Sequence, residues 1–201
     1  MSELATFMQL GFRHIVDIEA MDHILFLVAL AAIYRFRDVR QVLWVITAFT
    51  VGHSVSLALA VTGIIEFPAR VIEFLIPVTI VATGIENLLV RDRDPASWRG
   101  RFRPIFAGVF GLVHGAGFAG YLKALFVENV AVPLFGFNVG IELGQVVVLL
   151  AIAVAIAAID RALALWRGAR PEPHAIRLRV VGISLLVVAM GSVWAVQRSP
   201  W

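Results

Sequence analysis

Residues 11–34, GFRHIVDIEAMDHILFLVALAAIY, decide how this chain is read. From Ile24 onwards the stretch is apolar, yet residues 11–23 carry His14, Asp17, Glu19, Asp22 and His23. Ionisable groups are costly inside a bilayer and mark functional sites by default. The segment therefore predicts a membrane span with a site built into it, and the rest of the chain has to supply the partners.

With 201 residues, 60% of them hydrophobic, and a mean hydropathy of +0.90, the chain has more apolar surface than one soluble core of this length can bury. Cysteine is absent. Disulfides, thiolate ligands and a thiol nucleophile are thereby excluded, and a bound metal must use nitrogen and oxygen donors. The formal net charge of +3 comes from arginines clustered between apolar runs, the pattern of topology determinants rather than of a nucleic-acid surface. The expected partners are the lipid bilayer and a metal ion, with no nucleic acid. The N-terminus, MSELATFMQLGF, lacks the basic segment and small-residue cleavage site of a signal peptide. The first apolar run is expected to remain as a span, with the mature chain beginning at or near Met1.

A span takes about 20 apolar residues at about 1.5 Å each. On that template the sequence predicts one all-α domain over residues 1–201, a polytopic transmembrane bundle of about six helices. The helices are expected at approximately 12–34, 41–64, 70–90, 104–126, 133–159 and 178–197. Arginines cluster after the first span (Arg35, Arg37, Arg40), after the third (Arg91 to Arg103) and after the fifth (Arg161 to Arg179). The positive-inside rule puts those loops in the cytoplasm and both the N- and C-termini outside. Gly136, Gly140 and Gly144 form a stripe that lets a second helix approach the fifth span closely.

This topology turns sequence position into depth. His14 and Asp17 fall near the outer surface as a vestibule, with Asp22 and His23 about 12 to 14 Å down. His53, His114 and Glu142 reach the same level on three other spans. The predicted ligand set is His23, His53, His114 and Glu142. Asn138 and Gln145 share the face of Glu142 and bracket it, and Asp22 is the candidate acceptor for a histidine ring N–H. Glu73, and Glu86 with Asn87, lie towards opposite ends of the third span and suggest entry and exit.

Three imidazoles and a carboxylate suit nickel, cobalt or zinc better than magnesium or calcium. The imidazoles must be neutral to bind, so affinity should fall on acidification. Any one of these histidines alone reads equally well as an interhelical hydrogen bonder; the three together with Glu142 favour a site. Ser54 beside His53 raises an alternative, a metal-dependent (zinc) intramembrane hydrolase with Glu142 or Asp22 as general base. A serine hydrolase is disfavoured, since adjacent helical side chains diverge and His53 is a poor base for Ser54.

The blocks GFRHIVDIEAMDHILFLVAL, TAFTVGHSVSLALA, VIEFLIP, FGLVHGAGFA and FNVGIELGQ, in this order between Gly11 and Gln145, resemble the HupE/UreJ family of bacterial membrane proteins. The motif positions are His14, Asp22, His23, His53, Ser54, Glu73, His114, Gly115, Phe118, Asn138, Glu142 and Gln145. Members linked to hydrogenase and urease gene clusters are regarded as nickel permeases or metallation accessories. The resemblance thus implies a multi-pass protein of the bacterial inner membrane that handles nickel or cobalt. Hydrogenase-type members carry a signal peptide and a His-Pro pair in the first helix, whereas this chain has His14-Ile15, and so it looks closer to the broader second branch.

Overall fold

A computed structural model describes residues 2–18, 21–34, 38–66, 68–89, 98–123, 130–167 and 173–201. Glu19, Glu128, Arg35, Arg37, Arg91, Arg93 and Arg170 lie outside these. Among the described residues the protein is all helical: α1 (Glu3–Val16), α2 (Met21–Ala31), α3 (Val39–Val61), α4 (Ala69–Leu89), α5 (Trp98–Lys123), α6 (Ala131–Arg167) and α7 (Pro173–Gln197). Stretches of α3 to α7 are each long and apolar enough to cross a membrane, whereas α2 is apolar but only 11 residues long. The chain is a multi-pass membrane protein.

The expectation of one continuous first helix does not hold. A helix already begins at Glu3, capped by Ser2, whose Oγ accepts from the Ala5 N–H at 3.4 Å. It stops at Val16, and Asp17 takes an extended conformation (φ −68°, ψ 128°). A second helix begins at Met21 with Asp22 in its first turn. The acidic residues explain the break. Aspartate competes with helical hydrogen bonding and prefers helix ends, and a carboxylate is favoured at a helix N-terminus by the backbone dipole. The hydrophobic run alone reads as one span; the carboxylates inside it divide that span in two.

The other helices pack as close pairs made possible by glycine. Along α1 and α6, a Cβ added to Gly11 would overlap the carbonyl oxygen of Phe137, and one on Gly140 would overlap that of Met8. Leu4 faces Gly136 while Phe12 and Ile15 face Gly144, so α1 and α6 run in the same direction. The glycine stripe of α6 therefore receives the N-terminal segment. On α5, Gly111 and Gly115 lie against the backbone of α3 at Phe49 and His53, with the same consequence for any larger residue. Helices α4 and α7 meet through Gly84 and Gly191. Close approach without side chains is the main route to tight helix packing in lipid, where no hydrophobic force drives association.

Two apolar clusters fill the interior. One joins Phe26, Leu30, Val45, Phe49, Ile80 and Val187; the other joins Ile15, Leu27, Ile46, Leu57, Phe137 and Ile141. The histidines lie beside Phe26 and Phe49 of the first cluster and Phe137 of the second.

Candidate metal site

The break after Val16 creates the site. In an unbroken helix His14 and His23, nine residues apart, would be separated by about 13 Å along the axis. Here their ring centroids are 4.6 Å apart. His53 of α3 stands 6.3 Å from the His14 ring and 6.4 Å from the His23 ring. One nitrogen from each of His14, His23 and His53 lies within 4.8 Å of the other two. Tetrahedral coordination at about 2.0 to 2.1 Å requires nitrogens roughly 3.4 Å apart, so modest side-chain rotation closes the set on an ion.

His114 of α5 adjoins this group, with its ring 5.4 Å from that of His23. Its Nδ1 donates to the Phe110 carbonyl oxygen at 2.9 Å. That bond fixes the tautomer and leaves Nε2 with a bare lone pair. Burial is nearly complete: His53 is 0% exposed, His114 2% and His23 8%. Nevertheless both nitrogens of His23 and of His53, and the Nε2 atoms of His14 and His114, have no hydrogen-bond partner among the described residues. An orphaned buried polar atom costs free energy, more so where no water competes. A set of converging imidazole nitrogens without partners fits a cation that takes one lone pair from each ring.

Phenylalanine walls the site. Phe118 lies 4.0 Å from His14, Phe49 5.2 Å from His114, Phe26 5.6 Å from His114, and Phe137 5.7 Å from His14 (ring centroids). Several of these rings sit three or four residues from a histidine on the same helix: Phe26 after His23, Phe49 before His53 and Phe118 after His114. That spacing puts ring and imidazole on one face, a signal open to reading in the sequence.

The remaining residues singled out from sequence occupy other places. His14, assigned there to an outer vestibule, belongs to the imidazole group, while Asp17 beside it is exposed. Glu142 is not in the group. Its Oε1 accepts from the Thr47 hydroxyl at 2.7 Å, and one turn on Gln145 Oε1 accepts from Thr50 at 3.0 Å. Thr47 and Thr50 share the three-residue spacing of Glu142 and Gln145, and these two pairs tie α3 to α6. Asn138 has a buried Oδ1 without a partner. Asp22 Oδ2 pairs with Arg198 at 2.9 Å, and its buried Oδ1 has no partner. The expected bond from a histidine ring to Asp22 is not made.

Ser54 donates to the Thr50 carbonyl oxygen at 2.6 Å, so its hydroxyl is engaged within its own helix. Glu73 is exposed on α4. Glu86 and Asn87 lie together around Arg103: Nε donates to Glu86 Oε1 at 3.1 Å, one NH2 contact reaches Glu86 Oε2 at 2.9 Å, and another reaches Asn87 Oδ1 at 2.5 Å. Asn87 Nδ2 in turn donates to the Ala29 carbonyl at 2.6 Å, and Arg103 stands over the Tyr34 ring at 5.6 Å.

Comparison with known proteins agrees with the motif blocks and extends them over nearly the whole chain. No curated protein and no solved structure matches it. The family model described as HupE / UreJ protein matches residues 1–198, and the chain accordingly belongs to the HupE/UreJ family.

Proposed function

We propose that this protein is a membrane permease, or an accessory protein of metal supply, whose cargo is a divalent transition metal ion, nickel or cobalt. His14, His23 and His53 are its binding group and His114 the adjacent fourth donor. The observation that carries the reading is the convergence of buried imidazole nitrogens that have no other partner. Nitrogen donors of this kind suit nickel, cobalt and zinc. Family membership supports metal handling as the context.

The surroundings of the donors favour cargo over a resident ion. Tightly held metals are bound by histidines whose second ring nitrogen is anchored to an acceptor, which raises ligand basicity and fixes the ring. His114 has such an anchor, whereas His23 and His53 have none. Transport needs a site that releases as well as binds. With the arginine-rich loops in the cytoplasm of a bacterial inner membrane, the ion would enter near Asp22 and His14 and leave towards Glu86 and Asn87. The zinc-hydrolase alternative gains no support from the contacts, because the Glu142 carboxylate is engaged by Thr47, that of Asp22 by Arg198, and the Ser54 hydroxyl by the Thr50 carbonyl.

The test is titration calorimetry of nickel into purified protein, combined with nickel accumulation in metal-limited cells. Binding and accumulation that both require His23 and His53 support the reading. Stoichiometric tightly held zinc without accumulation would replace it with the hydrolase.

A further inference from the structure

We propose that the Glu86–Arg103 ion pair is the inner gate of the cation route, closed in this conformation; the proposal rests on the transport reading above. A narrow crevice lies beside the pair, bounded by two phenylalanines that adjoin His114. Its walls include Phe26, Val45, Ala107 and Phe110 together with Glu86 and Arg103. Phe110 carries the carbonyl that anchors His114, and Phe26 lies against the same ring. The interior volume of the crevice is about 20 Å³, room for about one water molecule.

Glu86 is the one carboxylate lining this crevice, and so the anionic donor that a cation leaving His114 on this side would meet. Both oxygens of that carboxylate are already held by Arg103, at 3.1 and 2.9 Å. The guanidinium is itself buried, 7% exposed, and is fixed from other sides by Asn87 and the Tyr34 ring. A fixed positive charge repels a divalent ion in a medium of low dielectric constant. Passage therefore requires Arg103 to leave Glu86, so that the carboxylate exchanges the guanidinium for the ion. Release is coupled to a local rearrangement of α5 against α4, and the resting protein does not leak.

The native chain contains no cysteine, so one introduced thiol is unique. Ala107→Cys places it on the buried crevice wall, at a position 3% exposed. The probe is a small membrane-impermeant methanethiosulfonate applied from the arginine-rich side of sealed vesicles. The pair is removed by Glu86→Gln with Arg103→Gln, which leaves no lone buried charge. Labelling at least tenfold faster in the pair-less background than in the parent supports the gate. Equal rates in the two backgrounds, whether fast or slow, overturn it. Arg103→Lys, which keeps the charge but loses the two-point grip, carries the same comparison if the double variant does not fold, with intermediate labelling expected. Nickel titration of the same proteins separates the two ideas. Equal labelling with intact nickel binding removes the gate alone, whereas absence of nickel binding in the parent removes the transport reading and the ion gate with it.

Discussion

Around the four histidines, six buried ring nitrogens have no partner among the described residues; around Arg103, contacts run in a chain from the Glu86 carboxylate through the guanidinium and the Asn87 amide to the Ala29 carbonyl. Both centres place polar groups among apolar helices, where each unmet hydrogen bond is costly. At Arg103 the groups satisfy each other and hold α2, α4 and α5 together. At the histidines they are left for something else to satisfy. Polar residues in this protein are thus of two kinds, and hydrogen-bond satisfaction distinguishes them where residue type does not.

The contrast predicts opposite effects at the two centres. The largest is expected for His23→Leu combined with His53→Leu. Nickel affinity measured by calorimetry should fall by at least about 100-fold, beyond the 10–100-fold typical of outer supporting groups, while the thermal midpoint of the metal-free protein stays unchanged or rises as orphaned polar atoms are removed. Asn87→Leu should do the reverse. It strips Arg103 and the Ala29 carbonyl of a partner, at about 1–3 kcal/mol for each group left buried and unpaired, and should lower the thermal midpoint in detergent with nickel affinity retained. A loss of nickel binding in Asn87→Leu without a loss of stability would erase the distinction.

Smaller effects refine the composition of the site. His14→Ala should weaken nickel binding by about tenfold or more, and an unchanged affinity would return His14 to the vestibule that helix periodicity assigns it. Glu142→Gln should change nickel affinity by less than about threefold, well under the 1.4 kcal/mol of a tenfold effect. The amide oxygen still accepts from Thr47, and the carboxylate is not part of the imidazole group. A loss as large as that of His14→Ala would instead restore Glu142 as a ligand.

Much of this architecture is legible along the chain. Apolar runs of about 20 residues announce α3 to α7, because a bilayer demands that length of any spanning helix. Gly136, Gly140 and Gly144 announce a close helix contact, since a four-residue spacing lines up one face. They do not say which helix fills it, and α1 was hidden because Glu3 to Leu10 is too short and too polar to read as a span. Glu142 drew attention as a midplane carboxylate, while its partner Thr47 lies 95 residues away on another helix and carries no charge to mark it.

The sequence by itself determined the class of protein, the number of spans to within one of the five found among the described residues, the nitrogen and oxygen character of any metal site, and the presence of His23, His53 and His114 near one another. These follow from periodicity, length and residue chemistry, which act locally or through the bilayer. Only the tertiary structure decided that the stretch from Gly11 to Tyr34 breaks at Asp17, that His14 thereby comes within 4.6 Å of the His23 ring, and that Glu142 is turned to Thr47. Those outcomes depend on which helices touch. A helical repeat fixes the direction in which a side chain leaves its own axis, but the partner it meets is set by the packing of several helices at once.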